Sequence, residues 1–222
     1  MKQVLMILAV ALFSVATVSA QDYKPAAGSF GLEVGISPLQ LGGGNAFDSN
    51  VTGIYTLSDK LAVRLNLGIT TNSGSFDNGE SGNAQITANT SNTSFSITPG
   101  IVYSFAGTQK LTPYIGAELG LALNSIGSKG KVNDITTTIS NSNGSNTTIG
   151  FGVFSGINYY IAQHVYIGVE IGLAGAYVSV PNQKTEYSGT GAPQNPAESK
   201  VSQSSFTFSV GAYPFLRLGW SF

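Results

Sequence analysis

Cysteine is absent from all 222 residues, histidine occurs once, and charged residues make up only 9% of the chain. Without cysteine there are no disulfides and no thiolate ligands, so an exported chain of this kind must be held by a closed hydrogen-bonded sheet or a large core. A single His164 rules out a His-rich metal site. Asp77 and Glu80 sit in a Gly/Asn/Ser-rich stretch that lacks a calcium-loop pattern. No catalytic, metal-binding or cofactor-binding residue is therefore assigned. The formal net charge of -1 argues against nucleic acid as a partner. Beyond Ala20 no apolar run approaches the ~18 residues of a membrane helix, and a mean hydropathy of +0.15 is too low for a helical membrane protein.

What is present begins with an export signal. Lys2 precedes an apolar run from Val4 to Val18 broken only by Ser14 and Thr17, and Val18-Ser19-Ala20 puts small or apolar residues where signal peptidase reads. Residues 1–20 are expected to be a signal peptide cut between Ala20 and Gln21, leaving residues 21–222 as one domain.

The other end of the chain alternates strictly. Phe206, Phe208, Val210, Ala212, Pro214, Leu216, Leu218, Trp220 and Phe222 occupy every second position, with mostly small or polar residues between them. This segment is too long and too apolar on one face for a soluble edge strand; lipid on one side and a polar interior on the other account for it. Seven earlier segments share the pattern: about Ser29–Ser37, about Phe47–Leu57 with less clean alternation, then Leu61–Ile69, Phe95–Phe105, Ile115–Leu123, Ile149–Tyr159 and Val165–Leu173. Together they predict an all-β fold, an eight-stranded antiparallel transmembrane barrel. Only alternate residues of such strands meet lipid, which hides them from hydropathy averages. Pro99 and Pro214 forfeit ladder hydrogen bonds and predict a bulge or a locally unpaired position.

Connections alternate in kind. Ser58-Asp59-Lys60, Ala106–Lys110 and Ala162-Gln163-His164 are short, whereas Gln40–Ala46, Thr71–Asn92, Asn124–Asn146 and Ser179–Ser204 are long, polar or Gly-rich, and are expected to be loops. Barrels of this kind carry short periplasmic turns and long extracellular loops, which fixes the orientation and puts His164 in a periplasmic turn. Glu33, Arg64, Glu118, Glu170 and Arg217 all fall on the inward face, and no charged residue falls on the lipid face of a predicted strand. Eight strands leave an interior just wide enough for side chains to fill. The five charges, assisted by Tyr114, Tyr166 and Tyr213, are expected to pair in a polar network that blocks the lumen.

With its signal peptide, its Pro99-Gly100-Ile101-Val102-Tyr103 and Pro113-Tyr114-Ile115-Gly116 strands, and its closing Phe215-Leu216-Arg217-Leu218-Gly219-Trp220-Ser221-Phe222, the chain resembles the OmpA/OmpX-type eight-stranded outer-membrane β-barrel superfamily, without a peptidoglycan-binding domain. The resemblance implies a monomer of the Gram-negative outer membrane with a structural or surface-interaction role. Its partners would be outer-membrane lipid and lipopolysaccharide, the barrel-assembly machinery reading Trp220 and Phe222, and an extracellular ligand of unknown nature. Two rivals stand beside this reading. One is a narrow channel or small-solute transporter with an OmpW-type barrel, in which Pro99 or Pro214 kinks the wall. The other is a secreted lipocalin-type barrel, which would reverse the apolar and polar faces.

Overall fold

The computed structural model describes residues 23–36, 47–81, 84–132, 135–141, 146–189, 197–199 and 203–222; the predicted signal peptide, Gln21 and the Gln40–Ala46 connection lie outside them. The described residues form β1 (Phe30–Ile36), β2 (Phe47–Ser58), β3 (Leu61–Ser81), β4 (Ala84–Ser104), β5 (Leu111–Val132), β6 (Ile135–Asn141), β7 (Asn146–Ala162), β8 (Val165–Val180), β9 (Gln183–Ser188), β10 (Ala197–Ser199) and β11 (Gln203–Ser221). Each strand of the ring β1-β2-β3-β4-β5-β7-β8-β11 pairs antiparallel with its neighbours, and β11 returns to β1 to close it. Among the described residues the ring closes where residues 31–36 pair with residues 216–221, and such pairing matters in a membrane, where an unpaired backbone group costs about 4 kcal/mol or more.

The faces follow the predicted parity. Leu32, Val51, Val63, Leu65, Ile101, Ile115, Leu119, Phe151, Val169 and Ile171 all expose their side chains outward, while Glu33, Thr52, Arg64, Tyr114, Phe154, Tyr166 and Arg217 are buried. An apolar exterior around a buried polar interior is the reverse of a lipocalin. Toward one end of the outer apolar belt Ile69 pairs with Phe95 and Phe95 with Leu123, so apolar residues meet across three neighbouring strands. Near the short turns, aromatic rings gather: Phe30 meets Phe222 edge-on at 5.4 Å, Tyr103 meets Phe105 at 5.4 Å and Trp220 lies 5.1 Å from Phe222. Such a girdle suits the membrane interface.

Both prolines disturb the ladders as anticipated. The β11–β8 register shifts between Gly211 and Pro214 and again between Pro214 and Phe215, so that both Pro214 and Phe215 face Glu170. The net shift spans two residues, which returns the outward face of β11 to lipid on either side of the bulge. On β4, the β4–β5 register passes from Ile97↔Leu121 to Gly100↔Glu118, leaving Thr98 and Pro99 out of that ladder while Pro99 still opposes Leu65 on β3.

The long connections are where expectation and structure part. Thr71–Asn92 is not a loop: β3 and β4 continue through it as a paired hairpin. β5 likewise runs to Val132 and pairs with β6, β9 pairs with β6 and β10 with β9, all within the expected third and fourth loops. These segments lack alternation because both of their faces are solvated, yet their Thr- and Ser-rich strands still satisfy their backbones by pairing. A polar sheet therefore stands above the lipid belt at the end opposite the short turns.

Candidate functional site

Inside the barrel, six strands send polar side chains to one level. Glu33 comes from β1, Arg64 from β3, Tyr114 and Glu118 from β5, Asn158 from β7, Tyr166 and Glu170 from β8, and Arg217 from β11. Arg217 donates from one terminal nitrogen to both oxygens of Glu33, at 3.1 and 2.9 Å, and from the other to the Tyr114 hydroxyl and to Asn158 Oδ1. Tyr166 donates its hydroxyl to Glu33 at 2.5 Å. Tyr114 in turn donates to Glu170 Oε2 at 3.0 Å, and Arg64 bridges Glu170 and Glu118 at 2.9 and 2.8 Å. A continuous chain of contacts thus runs Tyr166–Glu33–Arg217–Tyr114–Glu170–Arg64–Glu118.

Electrostatically, three carboxylates face two guanidiniums. Glu118 is the most accessible of the five charged groups, with 27% of its side chain exposed against 8% for Arg64. The Nε atoms of both arginines are buried without a protein acceptor, so each guanidinium commits only its terminal nitrogens to the network. The Arg64 guanidinium carbon also lies over the Phe154 ring, 3.9 Å from its centre, and that of Arg217 over Tyr114 at 5.2 Å. These cation–π contacts offset part of the desolvation of each guanidinium.

Glycine makes room for these side chains. Arg217 pairs across strands with Gly35 and Gly168, Arg64 with Gly100, Glu118 with Gly100 and Gly152, Tyr114 with Gly156, Phe154 with Gly116 and Gly172, and both Glu33 and Tyr166 with Gly219. A Cβ on Gly156 would run into the Tyr114 phenol, and one on Gly168 would lie 2.9 Å from Arg217. The glycines so abundant in the sequence are, at these positions, the small partners of large inward groups in a narrow lumen.

All five predicted interior charges and the predicted Tyr114 and Tyr166 meet in this network; the side chain of Tyr213 lies outside the described residues. Sequence reasoning did not single out Phe154, Asn158 or Tyr160, although parity placed the first two inside. Tyr160 is buried and lies tilted against Tyr166, with ring centres 5.3 Å apart and planes at 54°. Glycines lie opposite Phe154 (Gly116 and Gly172) and Asn158 (Gly168), whereas Tyr160 pairs with Tyr166.

Two cavities adjoin the network. One of about 400 Å³ opens toward the polar sheet, lined by Asn50, Thr52, Asn66, Glu118 and Gly152 among others. The other, about 110 Å³, lies toward the short turns and is lined in part by Lys24, Pro25, Thr56, Asp59 and Tyr160. Glu33, Arg64 and Arg217 line both. His164 is not in the lumen. It forms the β7–β8 turn in a left-handed conformation (φ 61°), and its Nδ1 stands 3.3 Å from Ser221 Oγ.

Residues 45–222 match the family model described as "Putative OmpA-OmpF-like porin family". The chain belongs to this family. No curated protein matches its sequence. Among solved structures it is similar to the outer membrane protein OprG from Pseudomonas aeruginosa, at 13% identity and a TM-score of 0.43, over 91% of this chain and 99% of that one. It is also similar to the ferric yersiniabactin uptake receptor FyuA from Yersinia pestis, at 13% identity and a TM-score of 0.39, over 77% of this chain but only 24% of the receptor. Porin-like family membership and a closed ring with a lipid-facing exterior place the protein in the bacterial outer membrane, with its short turns periplasmic and its polar sheet outside.

Proposed function

We propose that this porin-like barrel has a structural or surface-interaction role, with its lumen closed by the Glu33–Arg217–Tyr114–Glu170–Arg64–Glu118 network, and that it performs no catalysis. In this reading residues 1–20 are removed between Ala20 and Gln21. The barrel works as a monomer in contact with outer-membrane lipid and lipopolysaccharide, after insertion by an assembly machinery that reads Trp220 and Phe222. The observation that carries the reading is the unbroken line of hydrogen bonds from Tyr166 to Glu118 between two separate cavities.

Planar-bilayer recording of the refolded protein tests it. The wild type should conduct weakly, and Arg217→Ala should conduct more, because removing the guanidinium unlinks Glu33 from Tyr114. One observation favours a second reading, a narrow gated channel: Glu33, Arg64 and Arg217 are walls of both cavities, so displacing them would join the two spaces. Strong wild-type conductance that Arg217→Ala does not change would replace the closed barrel with an open path.

A further inference from the structure

The polar sheet has a face that the sequence did not reveal. On β5, Leu119, Leu121 and Leu123 point outward to lipid, and the same parity continues upward through Ser125 and Gly127 to Lys129 and Lys131, both exposed. The two lysines therefore stand on the membrane side of the sheet rather than over the lumen. From Leu123 to Lys129 is roughly 20 Å along a strand, or about 15 Å above the belt at a typical barrel tilt. That height lies past the acyl boundary, in the saccharide layer of the outer leaflet.

The neighbours of the lysines are neutral hydrogen-bonding groups. Lys129 is flanked by Asn89 and Thr138, and Lys131 by Thr87 and Thr136. Among the described side chains, the same-face carboxylates stand one strand further off, Glu186 beyond Thr138 and Asp77 beyond Thr87. An open cavity of about 510 Å³ lies here, lined by Ser73, Ser75, Asn89, Ser91, Lys129 and Thr138 among others. Most of this lining comes from the outward register.

We infer that this face, centred on Lys129 and Lys131, binds the phosphorylated core saccharide of lipopolysaccharide, the ammonium groups meeting phosphate and the Ser/Thr/Asn ladder meeting sugar hydroxyls. Two features select this occupant. The charge is complementary to phosphate, and the face is continuous with the lipid-facing belt, so whatever covers it must be rooted in the same leaflet. The inference rests on the outer-membrane orientation and on lipopolysaccharide as a partner, but not on whether the lumen is closed.

The test uses the mature barrel refolded in detergent and fluorescently labelled lipopolysaccharide, intact or enzymatically dephosphorylated, with binding read by anisotropy. Lys129→Glu/Lys131→Glu should weaken binding of the intact form by roughly tenfold or more, given about 1 kcal/mol for each lysine near an anionic surface. Lys60→Glu, in an exposed periplasmic turn, should leave it unchanged. The wild type should bind the dephosphorylated form as weakly as the double variant binds the intact one. Heat-modifiable mobility on gels shows that each variant is folded. Equal binding by wild type and double variant, indifference to dephosphorylation, or an equal loss with Lys60→Glu would overturn the proposal. Failure of the lumen reading shows instead in conductance, which these lysines should not alter.

Discussion

Glu33 and Arg217 meet across the seam that closes the barrel: they sit on the first and last strands of the ring, 184 positions apart in sequence, with both Glu33 oxygens within 3.1 Å of one guanidinium nitrogen. Among the described residues β1 pairs with β11 over residues 31–36, and this ion pair ties those two strands together inside the barrel. A buried pair contributes modest net stability when whole, yet costs much when halved.

Arg217→Ala is expected to destabilise the barrel by about 3 to 5 kcal/mol if the site stays dry, and by less if water enters. Arg64→Ala, which strands Glu118 and Glu170, should behave similarly. Both arginines lie within reach of Glu170, at 2.9 Å from Arg64 and 3.4 Å from Arg217, so the double variant should fall short of the summed losses. Urea unfolding in lipid vesicles, followed by Trp220 fluorescence, measures all three. Strict additivity would mean that the two halves of the network are energetically separate.

Glycine substitutions separate packing from charge. In Gly156→Ala the new methyl meets the Tyr114 ring, which cannot swing away because its hydroxyl is held by Arg217 and Glu170. A loss of about 1 to 3 kcal/mol is expected from overpacking. Gly127 has open space where a Cβ would go, so Gly127→Ala should be neutral or should gain a few tenths of a kcal/mol, up to about 1, from reduced backbone freedom in the unfolded chain. The same unfolding assay ranks the pair, and equal effects would contradict the large-opposite-glycine packing.

The faces of the barrel were legible in sequence because period-2 alternation is a direct record of lipid on one side and side chains on the other. That is why Glu33, Arg64, Glu118, Glu170 and Arg217 could be grouped before any register was known. Their pairing was not legible, since which charge meets which depends on the stagger between strands, and a shift of two residues preserves every face. The outer sheet was missed for a different reason. From Thr71 to Asn92 water bathes both sides, so nothing selects alternate apolar residues, and strand identity rests on pairing that only the fold supplies. Lys129 and Lys131 fall within the expected Asn124–Asn146 loop, but β5 carries them on the lipid-side face.

Lipid exposure gives a sharper contrast with the lumen. Leu65 lies near the middle of the outer belt between Val63 and Leu67, with 39% of its surface open outward. Leu65→Arg should cost roughly 2 to 4 kcal/mol at that depth. Ile69→Arg, at the rim beside Phe95, should cost about 1 kcal/mol or less, because the guanidinium can snorkel to the headgroups. Neither should change conductance, since both side chains lie outside the wall. Equal penalties at Leu65 and Ile69 would place the belt elsewhere than the exposed apolar surface indicates.

Phe222 tests the end of the chain. Its backbone exchanges hydrogen bonds with Phe30, N–H to carbonyl in both directions at 2.8 and 3.0 Å, and its ring packs edge-on against Phe30 and beside Trp220 while remaining 54% exposed. Phe222→Ala retains the backbone bonds and removes only the ring, so it should cost about 1 kcal/mol or a little more in the folded barrel, the worth of an aromatic pair beyond its area. Deleting the residue also removes the backbone pairing that fastens β11 to the start of β1. If an assembly machinery reads the terminal aromatic, both changes should cut the amount of heat-modifiable barrel in the outer membrane far more than the unfolding loss of Phe222→Ala accounts for. Comparing membrane levels in cells with stability of the same variants refolded from urea separates the two effects. A fall in level no larger than the stability loss predicts would make Phe222 a membrane anchor and nothing more.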